Sequence, residues 1–539
     1  MSNSVNVTSA MRRNLLFLLV ISAVIRLVLA GLLELGNDEV YYYTYALYPD
    51  LSYFDHPPMV GLVIRLFTFN LHFPQEFFVR LGAVAAGTVN TWLLFRIGRL
   101  LKDETTGWYA ALLYTASIYG FIIAGVFILP DAPQSVFWLP ALYLLLRALP
   151  DKELSKPNRR RILLAGVFTG LAMLSKYTSA FLATGTFAYV LLYNRNWLRT
   201  KEFYLAMLIA VLVFSPVLLW NAYNHFISFG FQGGRAGIFS EGLKPVYFFT
   251  ELGGQILYNN PVNVVLIVSA LLVVLKRKVL AEISSQRIIL LISLPLIATF
   301  LLIALFRQTL PHWTGMAYVT LLPLAATHLS VTGDNKIRWM PKILAVSLVV
   351  MLVIITVSAS QVKLGWLKID KGHTEIKNLG RNDPSLDMYG WRQLRKKMPA
   401  IVKRDQRAGM MDPNAAFVSF RWFPLANIDY YIAQPLHMKA LAIGKLEDIH
   451  HYAWINPQRG GFRGNMDAYF ITSGRDFKDP LSKYSAYFQF IEPCDTIPVV
   501  RGGRVAMYFF IYRLHNLRMV PEDYPVRSLL PYSGRNLIH

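Results

Sequence analysis

Residues 36–58 read GNDEVYYYTYALYPDLSYFDHPP. An apolar run at 15–33 precedes them and is long enough to cross a bilayer, which takes roughly 20 such residues. Asp38, Glu39, Asp50, Asp55 and His56, among six tyrosines and one phenylalanine, are therefore expected at the membrane surface straight after the first span. A short helix here places Asp38 and Tyr42 on one face, at i, i+4 spacing. Pro57-Pro58 ends regular structure just after Asp55-His56 and stiffens the turn. Acids, an imidazole and phenols beside lipid point to a site for a polar substrate. The plainer alternative is an interfacial aromatic belt with solvated acids. The Asp-Glu and Asp-His-Pro-Pro pairs favour a site.

The whole chain fits that setting. With 539 residues, 54% of them hydrophobic, and a mean hydropathy of +0.38, it reads as a polytopic α-helical membrane protein rather than a soluble enzyme. A net charge of +22 would suit nucleic acid. Much of the excess lies in short loops between apolar runs, where the positive-inside rule puts it, so no nucleic-acid partner is expected. Cys494 is the only cysteine, which rules out an intrachain disulfide. No small-residue cleavage pattern precedes Glu34, so the first apolar run is expected to stay as a span.

Eleven spans are expected, at about 15–34, 79–101, 107–128, 132–149, 161–175, 176–193, 203–221, 260–275, 287–306, 312–330 and 341–360. The run 59–73 is short and holds Arg65, which suits a re-entrant or interfacial helix. Basic clusters recur in alternate loops: Arg12-Arg13, Arg96/Arg99/Lys102, Lys152/Lys156/Arg159/Arg160/Arg161, Arg195/Arg199/Lys201, Lys276/Arg277/Lys278 and Lys336/Arg338/Lys342. Their phase puts the N-terminus in the cytoplasm and residues beyond about 361 outside. Residues 1–361 then form a transmembrane domain whose first outer loop, 35–78, carries the site. Residues 362–539 lose the long apolar runs and read as a soluble α/β domain, with a helical pattern at 384–398 and short strands at 415–420, 468–472 and 505–512. Gly460-Gly461 and Gly502-Gly503 read as turns. Nucleotide-binding, zinc-pair and nucleophile-elbow motifs are absent.

That topology gathers the chemistry-bearing residues on the outer side. Asp131 lies in the second outer loop and Lys176 between the fifth and sixth spans. Asn221, His225, Gln232 and Arg235 follow in a long loop, and Arg307, His312 and Trp313 join the ninth and tenth spans. A sugar carried on a polyprenyl phosphate has its lipid in the bilayer and its anomeric carbon at this interface. Transfer needs a base for the acceptor hydroxyl and cations for the departing phosphate. Asp38 is the candidate base, with Glu39 or Asp131 orienting a substrate. His56, Lys176, Arg235, Arg307 and His312 are candidate phosphate partners, and the tyrosines can meet the sugar. Each has a plainer reading: Lys176 as a snorkelling side chain, Asp131 as turn chemistry, Arg307 as an ordinary loop cation, and His225 and His312 as structural.

Asp38-Glu39 after the first span, followed by Tyr53-Phe54-Asp55-His56-Pro57-Pro58, resembles the GT-C superfamily of lipid-linked glycosyltransferases. The resemblance is to its protein O-mannosyltransferase-like family and its lipid A aminoarabinose transferases. Leu129-Pro130-Asp131-Ala132-Pro133, Gly170-Leu171-Ala172-Met173-Leu174-Ser175-Lys176, Pro311-His312-Trp313 and Asp387-Met388-Tyr389-Gly390-Trp391 continue the likeness in order. The resemblance implies an inverting transferase of the inner membrane, moving one sugar from a polyprenyl phosphate to an acceptor hydroxyl or phosphate on an envelope glycan, lipid A or protein. Asp38 matches the active-site aspartate, and Tyr42 and Tyr53 match tyrosines lining its cavity; Asp55 matches an acid there. The aminoarabinose transferases carry a lysine where this chain has His56, which loosens the implication that aminoarabinose is the sugar. No cofactor is required by the sequence. The resemblance leaves room for a divalent metal, for which Asp55 with His225 or His312 are the candidate ligands.

The competing class is a transporter or flippase of polyprenyl-linked sugars; a non-catalytic envelope scaffold is a third. Transporters place ionisable groups near the midplane on broken helices, often in repeated halves. Here the acids stand at span ends and no repeat is visible. The basic clusters predict that reporter fusions after Lys278 and after Leu364 will report opposite sides of the membrane. The same side for both would make the span count wrong by an odd number.

Overall fold

The computed structural model describes residues 2–237, 242–276, 279–332, 340–370, 375–522, 524–526 and 528–529. Arg277, Lys278, Lys336 and Arg338 of the basic clusters lie outside the described residues. The chain forms two compact units. One comprises Met1–Ala30, His56–Ala222 and Ser228–Ile354; the other comprises Gly31–Asp55, Tyr223–Ile227 and Ile355–His539. The second unit includes Gly31–Asp55, the beginning of the loop that follows the first span.

In the first unit a helix stands at each of the eleven expected spans. Among the described residues five helices are long and apolar enough to cross a bilayer: Met11–Leu32, Glu76–Leu101, Lys201–Tyr223, Ile283–Ala304 and Lys342–Leu364. Pro245–Tyr258 and Pro261–Leu275, bent by 101° at their junction, make a sixth if they form one span. Side-chain burial on Lys201–Tyr223 shows why these helices sit in lipid. Phe203, Ala206, Ala210, Phe214 and Val217 are buried along one stripe, while Tyr204, Leu208, Val211, Leu212 and Leu219 are exposed along the other. The short run after the first loop forms the helix Met59–Phe67. The expected span 107–128 is interrupted: its helix, Glu104–Ala116, gives way to one π-turn, Tyr119–Ile123.

The interior of this unit is held by close approach and by polar contacts between helices. A Cβ at Gly98 would meet the Thr106 carbonyl at 2.7 Å, and one at Gly107 the Phe95 carbonyl at 2.5 Å. Asn90 Nδ2 donates to Ser135 Oγ at 2.7 Å, and Trp138 Nε1 to Thr320 Oγ1 at 3.0 Å. Asn260 donates to the carbonyls of Ala116 and Ser347 at 2.9 and 3.0 Å.

The second unit contains a five-stranded sheet: β1 (Ala416–Ser419), β2 (Ala440–Ala442), β3 (Ala468–Ser473), β4 (Phe488–Arg501) and β5 (Arg504–Leu517). The order is β2-β1-β3-β5-β4, with β1 parallel to β2 and β3, and β5 antiparallel to β3 and β4. β4 escapes a reading by pattern because Pro493 and Pro498 interrupt it, and proline is tolerated on an edge strand such as this one. Gly502-Gly503 turns β4 into β5 with φ of +55° and +76°, the geometry of a two-residue hairpin loop. The helical pattern at 384–398 becomes a short turn, Pro384–Met388, and then the helix Trp391–Arg407. Glu34 from the loop accepts the Trp391 N–H at 2.8 Å, and Tyr431 Oη accepts the Leu35 N–H at 2.8 Å. These bonds make 31–55 part of this unit.

Gly107→Leu should overpack the contact with Glu76–Leu101 at a cost of about 1–3 kcal/mol. Thermal unfolding in detergent checks this; an unchanged Tm would show that the two helices can part without loss.

Candidate active site

The sequence candidates fall into two groups, one in each unit. In the second unit the helix Asn37–Leu47 carries the Asp-Glu pair in its first turn, where the unpaired N–H groups and the helix dipole favour acids. The two acids differ in setting. Glu39 is buried, and its carboxylate reaches back to accept the Gly36 N–H at 2.8 Å. Asp38, one residue earlier, is exposed. Glu39 thus holds the helix start and Asp38 is displayed by it.

The tyrosines behind them are mostly interior. Tyr42 is buried between the rings of Tyr41 and Tyr45, at 5.6 and 5.5 Å. Tyr53 stacks on Tyr45 at 3.6 Å and donates its hydroxyl to the Tyr45 carbonyl at 2.8 Å, which ties the loop back onto its helix. Asp55 is buried as well, and its Oδ1 accepts from Tyr41 Oη at 2.7 Å and Tyr45 Oη at 2.5 Å. Burial first, then the Asp55 charge, pushes both phenols well above their ordinary range, so they act as donors.

Two residues that sequence reasoning missed stand beside this acid. His450 Nδ1 lies 3.8 Å from Asp55 Oδ2, and its ring stacks on Trp422 at 5.6 Å. His451 is buried against Trp454, Tyr45 and Tyr53, and among the described residues neither ring nitrogen has a hydrogen-bond partner. Burial lowers its pKa to about 3 against the opposing pull of Asp55, so it is neutral. The His450-His451 doublet was the available signal, but its distance in sequence from Asp55 hid the pairing.

In the first unit, Asp131 opens the helix Asp131–Ala148 and is almost fully buried. Lys176 stands at the break between Lys156–Met173 and Ala180–Tyr193. Its Nζ meets both Asp131 oxygens, at 2.8 and 2.9 Å, and Tyr119 Oη donates to Asp131 Oδ1 at 2.8 Å. Lys176 is therefore a buried ion-pair partner and not a snorkelling side chain. His312, in the turn Pro311–Thr314, lies within electrostatic reach of Asp131, Lys176 and His56. Four candidates from distant parts of the chain thus share one neighbourhood.

The same turn borders a second feature. Arg235, Lys244, Arg307, Tyr247, Gln308 and Trp313 line an open cavity of about 260 Å³. Arg235 lies over the Trp313 ring at 4.8 Å, and Arg307 Nη1 donates to the Gly234 carbonyl at 2.8 Å. Among the described residues, three cations and no carboxylate line this space, which suits a phosphate or another polyanion. Lys244 is an addition to the sequence candidates; an isolated loop lysine gave no signal.

The candidate metal ligands are not assembled. Among the described residues no three His, Cys, Asp or Glu side chains form a group that could hold a metal ion. His225 is exposed at a φ of +55°, and Asp55 has Oδ1 committed to two phenols.

The sequence model of the family described as dolichyl-phosphate-mannose-protein mannosyltransferase matches residues 55–220, a region that includes Asp55, His56, Asp131 and Lys176. Over 188 residues the chain is 28% identical to the lipid A galacturonosyltransferase RgtD of Rhizobium johnstonii. That match takes in 34% of this chain and 38% of RgtD, so the chain aligns with well under half of the relative. ArnT from Cupriavidus metallidurans bound to undecaprenyl phosphate superposes with a TM-score of 0.61 over 92% of this chain and 97% of that one, at 13% identity. Its apo form gives 0.58 over 94% and 98%, at 12% identity. At that identity the structures establish a shared fold. None of these matches supports the transporter reading.

The ion pair makes a stability prediction. Its side chains are 6% and 2% exposed, so removing one partner strands a buried charge. Lys176→Met or Asp131→Leu alone should each cost about 3–5 kcal/mol, and the double substitution less than either. Unfolding midpoints of the three variants in one detergent test this; a double variant weaker than both singles would contradict it.

Proposed function

We propose that this chain, a member of the GT-C superfamily of membrane glycosyltransferases, moves a single sugar from a polyprenyl-phosphate donor to a lipid A-type acceptor in the bacterial envelope. The observation that carries the reading is the cavity lined by Arg235, Lys244 and Arg307 beside the turn that holds His312. A departing polyprenyl phosphate needs cations within reach. Lys176 is buried against Asp131, whereas Arg235, Lys244 and Arg307 line an open space that a phosphate can enter. Support for the acceptor comes from the partial likeness to a lipid A galacturonosyltransferase, and support for the donor from the fold shared with an ArnT bound to undecaprenyl phosphate.

In this reading Asp38 takes the proton of the acceptor hydroxyl as the oxygen attacks the anomeric carbon. The bond from that carbon to the phosphate oxygen breaks on the opposite face. Its electron pair leaves with the polyprenyl phosphate, and the configuration inverts. Cations take up the new charge on the phosphate, and Arg235, Lys244 and Arg307 are the candidates for that role in the first unit. Glu39 contributes by fixing the first turn from which Asp38 projects. Asp55, with Tyr41 and Tyr45, shapes the loop behind it. The Asp131–Lys176 pair, with His56 and His312, keeps a fixed polar surface next to the phosphate side.

Purified full-length protein, given radiolabelled undecaprenyl-phosphate sugars and lipid A, should transfer label. Asp38→Asn keeps the size of the side chain but cannot accept a proton, so turnover should fall by about 100-fold or more, with donor KM nearly unchanged. Arg307→Ala and Arg235→Ala should instead raise donor KM, each by about tenfold. Wild-type turnover in Asp38→Asn removes it as the base. Unchanged donor KM in both arginine variants removes the cavity as the phosphate site.

A further inference from the structure

A charge is buried inside the first span. Arg26, on the helix Ser2–Leu32, has no solvent exposure. Its guanidinium lies 4.3 Å from the centroid of the Phe121 ring; Nε donates to the Phe121 carbonyl and Nη1 to Ser22 Oγ, both at 3.4 Å. Nη2 has no hydrogen-bond partner among the described residues. The slot it occupies exists because side chains are missing. A Cβ at Gly125 would stand 2.9 Å from Arg26 Nε, and one at Gly87 3.0 Å. An arginine facing the inside of a membrane bundle is costly and usually serves function.

What Arg26 holds is the π-turn Tyr119–Ile123. Here the Ala124 N–H bonds back five residues, to the Tyr119 carbonyl at 2.9 Å, which disturbs the regular pairing of neighbouring carbonyls. Arg26 supplies a donor to one of them. Such turns concentrate at functional sites because they re-aim side chains. The side chain aimed here is Tyr119, whose hydroxyl reaches Asp131. Its ring lies against Gly315, where a Cβ would come within 2.2 Å of ring carbons. Gly315 directly follows the turn that carries His312. The middle of the π-turn is thus clamped by a cation, and its first residue grips the acid that pairs with Lys176.

We infer that the π-turn is a positioning element for the Asp131–Lys176 pair, with Tyr119 as its positioning residue and Arg26 as its anchor in the first span. The inference rests on the role given to that pair in the proposed function. A carboxylate held only by a lysine can rotate with the lysine's flexible stem. A rigid phenol on Oδ1 fixes its plane, and with it the ammonium.

The test uses full-length protein and a radiolabelled undecaprenyl-phosphate sugar that the wild type turns over. Tyr119→Phe and Arg26→Met should each lower kcat by about tenfold, the loss of one hydrogen bond to a charged group, with donor KM and Tm nearly unchanged. In an Asp131→Asn background, Tyr119→Phe should cause no further loss, because it acts only through that carboxylate. If Arg26→Met fails to reach the membrane, Gly125→Ala crowds the Phe121 carbonyl together with the guanidinium bonded to it and should lower kcat in its place. Wild-type kcat in Tyr119→Phe, or a fully additive double variant, overturns the inference while leaving the proposed function standing. Wild-type kcat in Asp131→Asn withdraws the role of the pair itself, and the inference with it.

Discussion

Apolar side chains gain little by leaving lipid for one another, so a helical bundle in a bilayer depends on close backbone approach and on polar groups that must find partners inside. The first unit is built on that constraint. Gly98 and Gly107 let two helices touch, and Asn90, Trp138 and Asn260 tie others across the interior. The Asp131–Lys176 pair is the extreme case. Neither buried charge is tolerable alone, so the helix that begins at Asp131 and the break that carries Lys176 are bound to each other's position.

The loop after the first span shows a related division of labour among its acids. Glu39 caps its own helix and Asp55 is held by two phenols, so both carboxylates are occupied in shaping the loop. Asp38 is the exposed one of the three. A carboxylate that is to accept a proton from a substrate must be reachable, and exposure is what sets Asp38 apart from Glu39 and Asp55. His450 and Trp422 add a contribution from the later part of the chain to the surroundings of Asp55.

The cations divide in the same way. Arg26 and Lys176 are enclosed and serve the bundle, the first on an aromatic face and a carbonyl, the second on a carboxylate. Arg235, Lys244 and Arg307 line an open space together with Tyr247 and Trp313. A polyanion can reach cations that line an open space, while the enclosed ones serve packing.

Much of the architecture follows from the sequence because the property that decides it is local. A run of apolar residues sets the place of a helix whatever its neighbours are, and helices stand at all eleven expected positions, though among the described residues only five, or six with the bent pair, are long and apolar enough to cross a bilayer. The acidic pair after the first span, the prolines that close its loop, and the ordered motifs through Asp131, Lys176 and His312 are likewise local patterns. What neighbouring residues do not record is which groups meet. Lys176 looked like a snorkelling side chain or a phosphate partner until Asp131, 45 residues away, was found on its ammonium. Lys244 drew no attention until Arg235 and Arg307 stood with it, and His450 none until Asp55 lay beside it. β4 was hidden by its prolines, and the π-turn by an apolar run that reads as one unbroken span. Ion pairs, cavities and re-aimed side chains depend on distances between residues far apart in the chain, and those distances exist only once the helices have packed.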